Sequence, residues 1–207
     1  MKIEFWYEFA STYSYLSAMR IDVAAAEQGV EVIWKPFLLG PIFNSQGWND
    51  SNFNIYPVKG DYMWRDMVRQ CQKYGLEFNQ PKIFPAHSVT AARLAWLGAK
   101  ENWCPQFSTK VYEAQFVAGK DISDVQVLGD ILPELELSAD DYLARTQDPK
   151  TKTGLRSQTD EAVAKGMFGA PSFIVGEELF WGDDRLADAG CCNFIRTLYG
   201  PPLAPFQ

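Results

Sequence analysis

The stretch Glu4-Phe5-Trp6-Tyr7-Glu8-Phe9-Ala10-Ser11-Thr12-Tyr13-Ser14-Tyr15-Leu16 changes its period halfway along. In the first half Phe5, Tyr7 and Phe9 fall on one side of an extended chain, and Glu4, Trp6 and Glu8 on the other. That aromatic, period-two pattern predicts a β-strand. In the second half the small hydroxyl residue Ser11 precedes a helix-compatible run from Tyr13 to Glu27. The chain therefore leaves a strand and opens a helix at once, with Ser11 at the junction. A helix N-terminus carries unpaired N–H groups and the positive end of the helix dipole, which suits an anion. Serine there also has a purely local use, as an N-cap.

Outward from this junction, the helix is expected from about Thr12 to Gln28. Tyr15, Leu16, Met19 and Val23 give its apolar spacing, and Gly29 stops it. Val30 to Phe37 reads as a second strand, with Val32 and Trp34 alternating against Glu31 and Lys35. Strand, helix and strand with short links make a βαβ unit with parallel strands. Leu38 to Gly60 reads as a long loop in which Phe43, Trp48, Phe53 and Tyr56 interleave with asparagines. Such a loop is expected to line something. From Asp61 to about Lys165 the pattern is helical, over Tyr62–Tyr74, Ser88–Lys100, Gln106–Val117, Ser123–Leu135, a short helix after Ser138 and Lys150–Lys165. Ser138-Ala139-Asp140-Asp141 resembles a capping box. Pro171–Val175, the turn Gly176-Glu177 and Glu178–Trp181 form a hairpin, and Gly182-Asp183-Asp184-Arg185 opens a last helix to about Tyr199.

The two ends thus supply βαβ and ββα. The fold class is α/β: a thioredoxin-like domain with a large all-helical insertion. The thioredoxin-like part is assigned to residues 1–45 and 160–207, and the inserted helical domain to 46–159.

Composition narrows the function. The 207 residues carry 19 basic and 26 acidic side chains, for a formal charge of −7. Nucleic acid and anionic membrane both favour clustered Lys and Arg, so neither is expected as a partner. No apolar run approaches a membrane span and no secretory signal opens the chain, so a cytoplasmic location is expected. Of the 4 cysteines (Cys71, Cys104, Cys191 and Cys192) none forms a C-x-x-C pair, and the chain has 1 histidine. A Cys/His zinc site is therefore not expected, and the cysteines read as reduced and structural.

In a thioredoxin-like layout the active site lies where the first helix begins. Redox members hold C-x-x-C there, because the helix end lowers thiol pKa. This chain has Ser11-Thr12-Tyr13-Ser14 in that place, which excludes disulfide exchange by the site. Pro171, just before the hairpin strand, is the expected place for a cis peptide. His87 reads as a loop histidine ahead of a helix, with general base as its other use. Tyr7, Tyr13, Trp48 and Trp64 are candidates to line an aromatic-substrate pocket, or else belong to the core.

Five segments in order resemble one family: Glu8-Phe9-Ala10-Ser11 with Tyr13-Ser14-Tyr15-Leu16, Lys35-Pro36-Phe37-Leu38-Leu39-Gly40, Pro57-Val58-Lys59-Gly60 with Tyr62-Met63 and Asp66, Gly169-Ala170-Pro171-Ser172-Phe173, and Phe180-Trp181-Gly182-Asp183-Asp184-Arg185-Leu186. From Phe5 to Leu186 the chain resembles the 2-hydroxychromene-2-carboxylate isomerase family, allied to kappa-class glutathione transferases and the DsbA-like thioredoxin branch. The resemblance implies glutathione as cofactor, a small aromatic substrate and a homodimer. It implies Ser11 as the catalytic residue that assists the thiolate. It also implies glutathione binding by Lys59, by Asn49 or Asn54, by Ala170 with Pro171, and by Asp183 or Asp184. Of the last two, Asp184 is the one expected to hold the glutamyl ammonium. Thr12 stands where many relatives have proline, and Asp183 where kappa-class relatives have serine. A kappa-like transferase or peroxidase, and a cysteine-less DsbA-like binding module, are the alternatives.

Overall fold

A computed structural model describes residues 2–190. Cys191, Cys192 and the rest of the expected last helix lie outside the described residues. The four strands are β1 (Lys2–Tyr7), β2 (Glu31–Pro36), β3 (Ser172–Val175) and β4 (Glu178–Trp181). They form one sheet in the order β2-β1-β3-β4. β1 pairs in parallel with β2, Phe5 opposite Trp34, and antiparallel with β3, Phe5 opposite Phe173. β3 and β4 form the hairpin. This is the expected thioredoxin-like sheet.

The alternation in β1 sorts its side chains between two apolar layers. Ile3, Phe5 and Tyr7 face a core shared with Phe173 and with helical residues such as Phe107 and Tyr112. Trp6 points the other way, into a cluster with Phe37, Ile42, Ala162, Met167 and Ile174. The strand is thus covered on both faces. The larger core runs from the sheet into the middle of the chain, through Met63, Ala91, Val111, Leu132 and Leu155.

The helices are α1 (Thr12–Ala18), α2 (Ile21–Glu27), α3 (Leu39–Ser45), α4 (Asn52–Ile55), α5 (Pro57–Tyr74), α6 (Val89–Glu101), α7 (Cys104–Phe116), α8 (Val125–Ile131), α9 (Ala139–Arg145) and α10 (Pro149–Ala164). Ser138 caps α9 by accepting from the Asp141 amide at 3.4 Å.

Two sequence expectations need correction. The first helix is not continuous to Gln28. It breaks at Arg20, whose φ of −127° lies outside the helical region. Arg20 ion-pairs with Asp183 and stacks on Tyr74 at 3.5 Å from the ring centroid. That long-range pairing turns α2, and Val23 ends up 65% exposed rather than in the apolar face. The second correction is the supposed loop from Leu38 to Gly60, which contains α3 and α4. Ser51 caps α4 through the Phe53 amide, and Pro57 occupies the first turn of α5. A Cβ on Gly60 would meet the Phe53 carbonyl at 2.4 Å, so only glycine lets α5 lie this close to α4.

Candidate functional site

The C-terminal end of β1, the start of α1, α3, α4 and the segment before β3 enclose a cavity of about 1010 Å³. Its wall is largely apolar and includes the aromatic side chains Phe43, Trp48, Phe53, Phe84, Phe168 and Trp181. The size is at the upper end for a small-molecule pocket.

Ser11 lies on this wall as the N-cap of α1. Its Oγ accepts from the Ser14 amide at 3.2 Å and donates to the Ala170 carbonyl at 3.0 Å. The local use of serine therefore holds, and a second contact joins it to the segment before β3. The Ala170–Pro171 bond is cis, and Ala170 lies on the wall beside Ser11. Pro171 itself is buried, and its carbonyl accepts from the Gly182 amide at 3.0 Å.

Lys59 and Asn49 also line the cavity. The Lys59 ammonium sits 5.5 Å from the Phe53 ring centroid and forms no ion pair among the described residues. The two candidate asparagines separate. Asn54 does not line the cavity, and its amide is held by the Asp50 carboxylate at 3.1 Å and by the Phe84 carbonyl at 3.4 Å. The two aspartates lie outside the cavity wall and also differ. Asp183 is buried and accepts from Ser17 Oγ at 2.8 Å and from Arg20. Burial pushes its carboxyl up, against the pull of Arg20 and Ser17. Asp184 is exposed and, among the described residues, pairs with its neighbour Arg185, at 2.8 Å.

Of the aromatic candidates, Tyr13 and Trp48 line the cavity, whereas Tyr7 and Trp64 do not. Tyr7 is fully buried and bonded to Ser108 at 2.6 Å. Trp64 packs edge-on against Phe84. The Tyr13 hydroxyl donates to Asp66 at 3.0 Å, and burial together with that carboxylate raises its pKa well above the usual tyrosine range.

One wall residue escaped the sequence reading. Glu8 is buried at 5% exposure, three residues before Ser11. Its carboxylate accepts from the Leu39 amide at 3.0 Å, the Ala10 amide at 3.3 Å and the Ser88 hydroxyl. It thereby ties the end of β1 to the first residue of α3 and to Ser88, the residue before α6. Burial raises its pKa against those three donors. An acid at the end of an aromatic strand was the available signal, but alternation alone placed it on a polar face.

Cys71 and Cys104 are buried in the core and neither lines the cavity. Burial pushes each thiol up to about 11. Any thiol chemistry in the cavity therefore has to use a sulfur other than these two.

The family model of the DSBA-like thioredoxin domain matches residues 2–189. The chain is 27% identical to a 2-hydroxychromene-2-carboxylate isomerase of Sphingobium xenophagum, over 89% of this chain and 93% of that one. It is 25% identical to glutathione S-transferase kappa 2 of Caenorhabditis elegans, over 97% and 94%. Among solved structures, a 2-hydroxychromene-2-carboxylate isomerase superposes with a TM-score of 0.85, at 21% identity and over 96% and 98% of the two chains. The cytosolic disulfide reductase DsbM of Pseudomonas aeruginosa with GSH superposes at 0.63, with 16% identity over 96% and 98%.

Proposed function

Since the chain belongs to the DSBA-like thioredoxin domain family, we propose that it is a glutathione-dependent cis-trans isomerase of aromatic-hydrocarbon degradation, interconverting 2-hydroxychromene-2-carboxylate and trans-o-hydroxybenzylidenepyruvate. The observation that carries this reading is a hydroxyl, not a cysteine, at the start of α1, beside a cis-proline and on the wall of a large aromatic cavity. The relatives named as isomerases and as a kappa glutathione transferase support it.

The residues present fit the tripeptide. Lys59 brings to the cavity an ammonium with no ion pair among the described residues, suited to a carboxylate, and Asn49 brings a side-chain amide. Ala170 offers main chain next to Ser11, so a peptide can lie along it in strand fashion with Pro171 holding the turn. Asp184, exposed outside the cavity wall, is the acid left for the glutamyl ammonium of a tripeptide that reaches past the wall, because Asp183 is committed to Arg20 and Ser17. When bound, glutathione would supply a thiolate for reversible addition to the conjugated double bond of the ring-opened substrate, the chemistry that frees rotation about that bond.

Ser11 steadies that thiolate. Its hydroxyl donates to Ala170 without ligand, so it has to turn from that carbonyl toward sulfur. The end of α1 adds its dipole. One unit of lowered thiol pKa corresponds to about 1.4 kcal/mol. The aromatic wall holds the substrate ring and keeps water from the reacting bond.

The deciding measurement is turnover of trans-o-hydroxybenzylidenepyruvate with and without glutathione, for wild type and Ser11→Ala. Turnover should require glutathione and fall on the order of 10²-fold in the variant. Equal rates without glutathione, or an unchanged Ser11→Ala rate at saturating glutathione, would defeat the assignment. Rapid conjugation of a chloro-dinitro aromatic with no isomerisation would select the kappa-like transferase instead.

A further inference from the structure

We propose that His87 is the anion partner of the second substrate, an aromatic conjugated acid that shares the cavity with glutathione. The proposal rests on the reading above for the conjugated acid as second substrate and for giving Lys59 to the tripeptide.

Among the described residues, six titratable side chains line the cavity: Glu8, Tyr13, Asp50, Lys59, Tyr62 and His87. Glu8 is engaged by Leu39, Ala10 and Ser88. The Tyr13 hydroxyl is donated to Asp66, and Asp50 holds the Ser51 amide and the Asn54 side chain. Among the described residues on the wall, Lys59 and His87 are the basic side chains. A chain of formal charge −7 repels small anions unless a local cation receives them. Glutathione and an aromatic carboxylate each need such a group, and the wall has two.

His87 suits the second role. Its side chain is exposed on the cavity wall and has no hydrogen bond or ion pair to a described residue. Its backbone is nevertheless held from both sides. Ala86 and Ser88 are each 6% exposed, and the Ser88 hydroxyl is bonded to the Glu8 carboxylate. Phe84, on the same segment, lines the cavity too, so an aromatic surface and a hydrogen-bond donor come from one stretch of chain. An imidazole offers an N–H to a carboxylate, or to the oxo oxygen beside it, where negative charge gathers when a nucleophile adds to the conjugated bond. The ligand class is therefore a flat aromatic ring conjugated to an acid.

The test is calorimetry on the full chain with trans-o-hydroxycinnamate and its methyl ester, at saturating glutathione. Wild type should bind the acid roughly tenfold more tightly than the ester, the effect of one charge-assisted hydrogen bond. His87→Asn should abolish that preference with ester affinity unchanged, and His87→Lys should keep it. Circular dichroism checks that the variants fold. A preference that survives His87→Asn, or is absent in wild type, overturns the proposal. So does a preference lost in Lys59→Ala but kept in His87→Asn, which would put the anion on Lys59. If wild type binds no glutathione, the functional reading fails separately. The acid–ester comparison on the protein alone still decides the role of His87.

Discussion

Glu8 is where fold and site depend on one side chain, and its replacement can be worked through. Glu8→Ala removes both acceptor oxygens. The Leu39 N–H, the Ala10 N–H and the Ser88 O–H then lose their partner together. A buried donor left unpaired costs about 1–3 kcal/mol, so three dry donors would sum to roughly 3–9 kcal/mol. The cavity side admits water to part of this cluster, which places the expected loss near the lower bound, about 3 kcal/mol. Glu8→Gln is the companion variant. It keeps the shape and one acceptor, and removes the charge. Burial raises the Glu8 pKa above its ordinary 4.5. The unfolded chain therefore ionises first as pH rises, and the native state binds the extra proton. The resulting stability is fully present below about 4.5 and is lost as pH rises through the higher folded value. Urea unfolding followed by tryptophan fluorescence, at several pH values from 4 upward, reads both effects. The wild type should lose stability relative to Glu8→Gln across that window. A wild type that gains on Glu8→Gln as pH rises would mean a depressed pKa, and would refute the desolvation argument. A Glu8→Ala loss below about 1 kcal/mol would refute the donor count.

Three further outcomes follow from the same contacts. Arg20→Ala leaves the buried Asp183 carboxylate without its guanidinium, and should cost about 3 kcal/mol in denaturant unfolding; pairing it with Asp183→Asn should recover part of that loss. Gly169→Ala would set a Cβ 2.3 Å from the Trp181 indole nitrogen, so Trp181 must leave Phe168, with about 1–2 kcal/mol of lost stability and a shifted tryptophan emission. Lys59→Ala should weaken glutathione binding roughly tenfold with stability within about 0.5 kcal/mol, because the ammonium is exposed and unpaired; equal glutathione affinity in calorimetry would remove Lys59 from the site.

Much of this protein was legible in short-range pattern. The switch from period two to helix at Ser11 located β1, α1 and the junction on the cavity wall. The βαβ and ββα ends pointed to the thioredoxin-like layout, because a parallel crossover and a tight hairpin leave few topologies. Helix existence followed from spacing and caps, as at Ser138. The absence of a cysteine at the α1 start was plain from the sequence, and the burial of Cys71 and Cys104 agrees with their reading as structural thiols.

Tertiary structure decided what depends on partners far away in the chain. The break falls at Arg20, whose side chain is paired with Asp183, 163 residues on, and no local propensity signals it. Trp6 is buried because the second face of the sheet is covered, whereas alternation grouped it with Glu4 and Glu8. Asn49 and Asn54 look alike in sequence, and only the bonds to Asp50 and Phe84 distinguish them. Asp183 and Asp184 are adjacent, yet one is buried against Arg20 and the other faces solvent beside Arg185. Glu8 reads as a polar strand residue until α3 and α6 bring their amide and hydroxyl to it. Periodicity reports which face a side chain takes, since backbone geometry repeats locally. Whether a polar group is engaged or available is set by the donors and charges that folding brings around it.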